Sequence, residues 1–203
     1  MKTALIRCAF LIILAGAVAS SVSAKTIRVG HPDNLIRTHD LDCISLEQVM
    51  NDHTPADLSA AVVRCARRGK FDQATQLFFV YSVYGYFDQN RVRDRSARSA
   101  VGALNQLISQ SLTRRQKRKF QAATERTQDR SGPLFKETCA IMRRLGPPDY
   151  VPLYMLAHGL DAFRFVGGKT HYLSRRELRK SLLQVNAGKL WEESLHTNNK
   201  CPR

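Results

Sequence analysis

Residues 54–88 carry the pattern that most constrains the fold, because they predict two antiparallel helices joined by a short turn. Thr54 suits the N-cap of the first helix, and Pro55 suits its first position. Gly69 can end this helix in the left-handed conformation. The second helix is apolar around most of its circumference, through Ala74, Leu77, Phe78, Val80, Tyr81 and Tyr84. Since such a helix must be covered by neighbours, we predict that it forms the centre of a helical bundle.

The rest of the chain shows helical periodicity, and alternating strand patterns do not stand out. Capping boxes that begin at Thr113 and Ser174 predict two helix starts. The predicted helices cover residues 91–111, 114–128, 133–145, 149–165 and 175–195, the last one interrupted near 186–188. One short strand near Ile27 or Val166 is compatible with the pattern. The predicted fold is an all-α single-domain bundle of about six or seven helices.

The first 24 residues have the composition of a secretory signal peptide. Lys2 and Arg7 precede an apolar run, and small residues before the predicted cleavage point end at Ala24. The run is too short for a membrane anchor, which needs about 20 apolar residues, and no later segment is long and apolar enough to cross a bilayer. We therefore expect export to the periplasm or beyond. Residues 25–52 then form an irregular lead-in, and residues 53–203 form the helical domain.

Export makes disulfides the favoured interpretation of the cysteines, because the compartment is oxidising. Removal of Cys8 with the signal peptide leaves four cysteines. Of their three possible connectivities we favour Cys43–Cys65, which ties the lead-in to the first helix, together with Cys139–Cys201, which tethers the C-terminal tail. No Cys-x-x-Cys or paired Cys/His spacing indicates a metal site, and we expect neither a metal nor another cofactor.

The chain is strongly basic. Without Lys2 and Arg7, 30 basic residues remain against 17 acidic ones, so the expected charge of the exported chain is about +13. Much of the excess lies in two places, residues 91–98 and the run 114–119, which contains no acidic residue. Such a field attracts an acidic protein, an anionic envelope polymer or nucleic acid. The run lacks interleaved aromatic residues for stacking on bases, and a solvated helix face is the other interpretation.

No familiar catalytic constellation stands in the sequence. The six histidines are scattered outside His-Glu-x-x-His spacing, and Gly-x-Ser-x-Gly is missing. His158 is either a hydrogen-bonded core residue or a group exposed in a groove. Acids such as Glu47 and Glu137 could attack glycosidic bonds, but the sequence does not place two of them at catalytic separation. We therefore predict no enzymatic activity.

The end of the second helix is the predicted partner-binding site. Tyrosine and arginine side by side are typical of binding hot spots, because rings bury area with little loss of entropy and guanidinium groups make forked contacts. The predicted partner-binding residues are Tyr86, Phe87, Arg91, Arg93 and Arg95. Simple packing at the end of the core is the alternative.

Two resemblances bear on the fold and the function. The junction Gly69-x-Phe71-x-x-Ala74 resembles that of a tetratricopeptide helical hairpin, although no second copy follows at a repeat period. Residues 81–88, 91–96 and 145–155 (the last reading LGPPDYVPLYM) resemble segments of small exported helical proteins of Gram-negative bacteria. Proteins of this type are regarded as periplasmic immunity factors against toxins delivered by contact-dependent secretion systems.

This second resemblance covers residues 54–161. It implies a protein that binds and blocks a toxin enzyme and has no activity of its own, and the basic charge of the chain predicts that this partner has an acidic face. Two alternatives stay open. One is an exported enzyme that acts on an anionic envelope polymer or nucleic acid through a carboxylate or His158. The other is a scaffold that holds an anionic surface component through residues 91–119.

Overall fold

The computed structural model describes residues 30–202, so the predicted signal peptide and the possible strand near Ile27 lie outside the described residues. These residues form eight α-helices and one two-stranded antiparallel sheet. The helices are α1 Pro55–Arg67, α2 Phe71–Arg91, α3 Ala100–Gln110, α4 Arg114–Gln128, α5 Pro133–Leu145, α6 Leu153–Leu156, α7 Arg175–Leu178 and α8 Ala187–Asn199. The strands are β1 Phe163–Val166 and β2 Lys169–Tyr172. The predicted all-α class is confirmed.

The hairpin of α1 and α2 organises the core as predicted. Thr54 caps α1, because its hydroxyl accepts a hydrogen bond from the Asp57 amide while the Asp57 carboxylate accepts one from the Thr54 amide. Helix α2 is 21 residues long and has buried residues on most of its circumference. It packs against α1, α4, α5 and α8. The Trp191 ring of α8 lies 5.6 Å from the Tyr84 ring and 6.3 Å from the Phe87 ring.

The predicted helix start at Arg91 is wrong, because α2 continues to that residue and α3 begins only at Ala100. Between them the chain is extended at Val92, which pairs with Leu182 in an isolated antiparallel bridge. The Asp94 carboxylate then accepts hydrogen bonds from the amide and hydroxyl of Ser96. Such local bonds offer the backbone an alternative to a helical turn.

The predicted long helix over 149–165 is also wrong. Only α6 is helical there, and a 3-10 helix, Leu160–Ala162, leads into β1. Gly159 packs against the segment between α2 and α3. A Cβ added at Gly159 would lie 2.0 Å from the Asp94 carboxylate, so this position has no room for a side chain. Gly167 and Gly168 have φ of +56° and +75° and form the two-residue turn between β1 and β2. The possible strand near Val166 is confirmed.

The predicted C-terminal helix is split into α7 and α8. After a 3-10 helix, Arg179–Ser181, the chain turns extended, and the Leu183 amide donates to the Arg91 carbonyl at 2.9 Å. The Asn186 side chain then accepts a hydrogen bond from the Lys189 amide and starts α8. The interruption predicted near 186–188 therefore coincides with the beginning of a helix.

Two disulfides tie the ends of the chain to the bundle, and both predicted pairs are confirmed. Cys43–Cys65 joins the lead-in to α1, and Cys139–Cys201 joins α5 to the C-terminal tail. Both sulfur pairs fit the predicted oxidising compartment. Over residues 30–202, no helix has the length and hydropathy needed to cross a membrane.

Candidate functional site

The five predicted partner-binding residues do not form one exposed cluster. Phe87 is 1 % exposed and packs in the core, and the Arg91 side chain is only 13 % exposed. Tyr86 is half-buried on α2, whereas Arg93 and Arg95 are exposed on the segment that follows. The structure therefore removes Phe87 and Arg91 from the accessible surface and leaves the other three partly or fully accessible.

Arg91 belongs to a buried polar cluster around Asp88, which we call the Asp88 cluster (Asp88, Arg91, Tyr150 and Tyr154). The Asp88 carboxylate is fully buried and accepts hydrogen bonds from Arg91 Nε at 2.8 Å, the Tyr150 hydroxyl at 3.0 Å and the Tyr154 hydroxyl at 2.9 Å. Burial raises the pKa of Asp88, and the charge and hydrogen bonds of these partners oppose that rise. The Arg91 guanidinium carbon lies 5.0 Å from the centre of the Phe87 ring.

The Asp88 cluster joins the end of α2 to residues 150–154, and each member contacts another member. A buried carboxylate with these partners has no path to a substrate. The cluster is therefore a structural network, and it uses residues from all three segments that carry the resemblance to exported immunity proteins.

A second group of titratable side chains surrounds the N-terminus of α1. The buried Asp57 carboxylate accepts hydrogen bonds from the amides of Thr38 at 2.7 Å and His39 at 2.9 Å, besides those of the Thr54 cap. Burial alone would raise the pKa of Asp57, but these hydrogen bonds outweigh it and hold the pKa below its usual value. His53 is 3 % exposed, and burial lowers its pKa.

These two shifts predict acid sensitivity. A lowered histidine pKa gives stability that is lost as pH falls below about 6.5, and a lowered aspartate pKa gives stability that is lost below about 4. The urea midpoint of the protein, measured from about pH 8 to about pH 3, should fall through both windows. Asp57→Asn should reduce the loss of stability below about pH 4 more than the control Asp72→Asn does. A pH profile unchanged by Asp57→Asn would contradict this explanation.

Neither group is arranged to hold a metal ion. Within residues 30–202, no three His, Cys, Asp or Glu side chains are placed to hold a metal ion. His158 Nδ1 lies 2.8 Å from Asn34 Oδ1, and burial lowers the His158 pKa. This contact makes His158 a hydrogen-bonded link between the lead-in and the segment after α6.

The most unusual charged surface is the N-terminal half of α4, which we call the α4 face: Arg114, Arg115, Lys117, Arg118 and Lys119. All five side chains are exposed, and none lies within 4.0 Å of a carboxylate in the part of the chain that the structure describes. The first turn of α4 has no acidic residue. Arg114, Arg115 and Lys117 therefore lie at the positive end of the helix dipole, and Lys119 Nζ lies 5.7 Å from the centre of the Phe71 ring.

An apolar cavity opens beside the α4 face, between α2, α3 and α4. Its volume is about 300 Å³, at the lower end of the range for ligand pockets, so it can hold one large side chain. Phe78, Ile108, Leu112 and Phe120 form its apolar wall, and Lys117 stands at its edge. Nothing in the basic run 114–119 alone indicated this cavity, because its walls come from three separate helices.

A second exposed surface, at the other end of α3, consists of residues 160–172 and their neighbours. We call it the hairpin surface. Leu160, Phe165, Val166 and Tyr172 are 69 %, 64 %, 60 % and 43 % exposed. Arg93 of the segment after α2 lies beside this surface, where its amide donates to the Ser181 carbonyl at 2.9 Å.

The two basic regions named in the sequence analysis do not converge. Arg93 precedes α3 and the α4 face follows it, and the 11 residues of α3 span about 16 Å. The sequence indicated a possible strand near Val166 but not an exposed hairpin, although Gly167-Gly168 was a signal for a turn between strands. No family model matches the chain, and no match to it was found among curated proteins or solved structures.

Proposed function

We propose that the protein is an exported binding protein of the immunity type, which docks an acidic-faced toxin enzyme on the α4 face and blocks it. One observation carries the proposal: α4 bears five exposed cations without carboxylate partners in the described chain, and one of them, Lys117, borders an apolar cavity. The partner supplies carboxylates for the cations and one apolar side chain for the cavity. The resemblance of residues 54–161 to exported immunity proteins supports the same class of function.

The charge pattern of α4 lowers the stability of the free protein. Cations in the first turn oppose the helix dipole by about 0.3–1 kcal/mol each. Arg114 and Arg118 are four residues apart on one face, as are Arg115 and Lys119, and like charges at this spacing repel. Carboxylates of an acidic partner would reduce both the repulsion between the cations and the helix dipole and the repulsion among the cations. The charge pattern of α4 is therefore more favourable in a complex than in the free protein.

The cavity beside α4 adds an apolar binding pocket to the charged helix surface. Binding energy concentrates where an apolar anchor fills a pocket and the surrounding contacts exclude water. The four apolar side chains of the cavity provide such a pocket, and Lys117 at its edge can pair with a carboxylate that flanks the anchor. The remaining cations accelerate association with an oppositely charged surface.

Charge reversal on α4 should stabilise the free protein. The double change Arg114→Glu with Arg115→Glu places two carboxylates in the first turn, and we expect the free energy of unfolding to rise by about 1 kcal/mol at low salt. Urea denaturation followed by circular dichroism measures it. Arg95→Glu, at an exposed position outside any helix, controls for the general reduction of positive charge. No gain beyond that of the control would contradict the dipole argument.

The same double variant tests the proposed function. Tagged protein without its signal peptide is used to capture the partner from cells that receive toxins by contact, and the captured enzyme is then assayed. The proposal requires loss of that enzyme's activity at one equivalent of wild-type protein and little loss with the double variant. Capture of a protein whose activity is unaffected would overturn it.

Binding to an anionic polymer is the competing outcome, favoured by the exposure of all five cations. It predicts affinity that falls steeply with salt and depends little on any single side chain. Asn105→Trp discriminates, because it narrows the apolar cavity without changing charge. A protein partner should bind this variant weakly, whereas a polymer should bind it as well as wild type. The second result, without any inhibited enzyme, would reject the immunity function.

A further inference from the structure

The hairpin surface combines exposed apolar side chains with cations in a way that the α4 face does not. Seven large apolar side chains are exposed in residues 30–202, and four of them lie between Leu160 and Tyr172. So dense a cluster is unlike the scattered apolar residues of an ordinary surface and marks a place of interaction.

The shape of this surface is a short projection. Strands β1 and β2 pair only with each other, and the turn Gly167-Gly168 connects them. The base of the hairpin is held by the lead-in, since His31 Nε2 lies 2.8 Å from the Leu173 carbonyl oxygen and the Tyr172 ring lies 5.4 Å from the His31 ring. Phe165 and Val166 stand directly before the turn and are more than half exposed.

Cations surround the projection. Lys169 pairs with Val166 across the turn, and Arg164 lies two residues before Val166. Arg93, Arg164 and Lys180 line one cavity of about 340 Å³ at the base of the hairpin. None of these four cations lies within 4.0 Å of a carboxylate among the described residues.

Acidic groups at the same base are fewer and partly engaged. Asp161 and Glu177 also line the cavity. The Glu177 carboxylate accepts hydrogen bonds from the Ser174 amide at 2.8 Å and the Ser174 hydroxyl at 2.7 Å. The cations therefore outnumber the carboxylates, and the exposed tip itself carries Lys169 and no acid.

We propose that the hairpin surface binds an anionic lipid membrane, with Phe165 and Val166 entering the boundary between headgroups and acyl chains. Apolar side chains of interfacial elements are buried about 5–10 Å into this boundary. Each cation near an anionic surface adds about 1 kcal/mol of attraction. A convex apolar tip needs a soft or concave counterpart, and a fluid bilayer accepts it without a preformed pocket. The binding is peripheral and leaves the α4 face free.

This surface is independent of the proposed toxin-binding function. The α4 face lies beyond the opposite end of α3 and contributes no residue to the hairpin surface. Membrane attachment would place the inhibitor at a lipid surface, while the α4 face selects the protein partner.

Flotation with lipid vesicles tests the proposal on the exported chain. Vesicles of phosphatidylglycerol and phosphatidylethanolamine should carry the protein upward, and vesicles of phosphatidylcholine alone should not. The double variant Phe165→Ser with Val166→Ser should bind the anionic vesicles at least about tenfold more weakly, because two side chains no longer leave water. The matched control Leu107→Ser with Val185→Ser removes two exposed apolar side chains elsewhere and should bind like wild type.

A second pair of variants separates lipid insertion from simple charge attraction. Lys169→Gln with Arg164→Gln should also weaken vesicle binding and should reduce its salt dependence. Circular dichroism confirms that each variant is folded. Equal binding of wild type and the Phe165/Val166 variant would overturn the proposal, as would an absence of binding to anionic vesicles. The proposal would also be overturned if the protein bound inorganic phosphate but no vesicles. It would be overturned as well if the Phe165/Val166 variant lost toxin capture while its vesicle binding was unchanged.

Discussion

Asp88→Ala is expected to destabilise the protein by about 3–5 kcal/mol, because removing one partner of a buried ion pair leaves the other charge uncompensated. Arg91 would keep its charge with its side chain only 13 % exposed. The Tyr150 and Tyr154 hydroxyls would lose a shared acceptor at the same time. Urea denaturation measures the loss, and a large shift of the midpoint without a change of slope is the expected form.

Asp72→Ala is the matched control, since Asp72 also lies on α2 and pairs with Arg126. Both of those side chains are more than half exposed, and an exposed pair contributes no more than about 1 kcal/mol. A further variant, Asp88→Leu with Arg91→Met, should recover much of the stability that Asp88→Ala loses, because it removes both buried charges. Equal effects of Asp88→Ala and Asp72→Ala would show that the Asp88 cluster does not stabilise the fold.

Cys139→Ser with Cys201→Ser is expected to lower the free energy of unfolding by about 4 kcal/mol. The two cysteines are 62 residues apart, so their bond removes much conformational freedom from the unfolded chain. Cys43→Ser with Cys65→Ser serves as the comparison. That bond spans 22 residues, and its loss should cost about 3 kcal/mol.

The order of the two losses tests the explanation. Chain entropy predicts the larger loss for the longer loop, measured by urea denaturation of both double variants under the same conditions. A larger loss for the Cys43–Cys65 variant would mean that contacts of the lead-in with α1, and not loop closure, dominate.

Local signals were sufficient for the elements that form from neighbouring residues. Thr54 and Thr113 each mark a capping box that the structure contains, and α5 has the predicted range 133–145. The cysteine pairs followed from the order of the elements they join. For the helix starts and ends the decisive interactions lie within a few residues, whereas the disulfides join cysteines 22 and 62 positions apart.

Long-range contacts decided the elements that were mispredicted. Val92 is extended because it pairs with Leu182, which is 90 positions away and gave no local signal. Apolar residues over 149–165 matched a helical period, yet Gly159 packs against Asp94 and the chain after it pairs as strands. Short apolar runs fit both kinds of structure, and tertiary pairing selects between them.

The sequence predicted only part of each candidate surface. The basic run 114–119 was visible, but its apolar cavity needs Phe78 and Ile108 from other helices. Phe87 and Arg91 were placed at an interface because composition resembles a hot spot whether the residues point inward or outward. Burial, which the sequence does not give, assigns them to the interior.

Trp191 gives the protein its own optical reporter. It is the single tryptophan of the chain and is 3 % exposed. From α8 its ring packs against the rings of Tyr84 and Phe87 on α2. Its emission should shift to longer wavelength when α8 detaches, whereas ellipticity follows the helices as a whole. Recording both signals during one titration therefore distinguishes release of the C-terminal helix from collapse of the entire bundle.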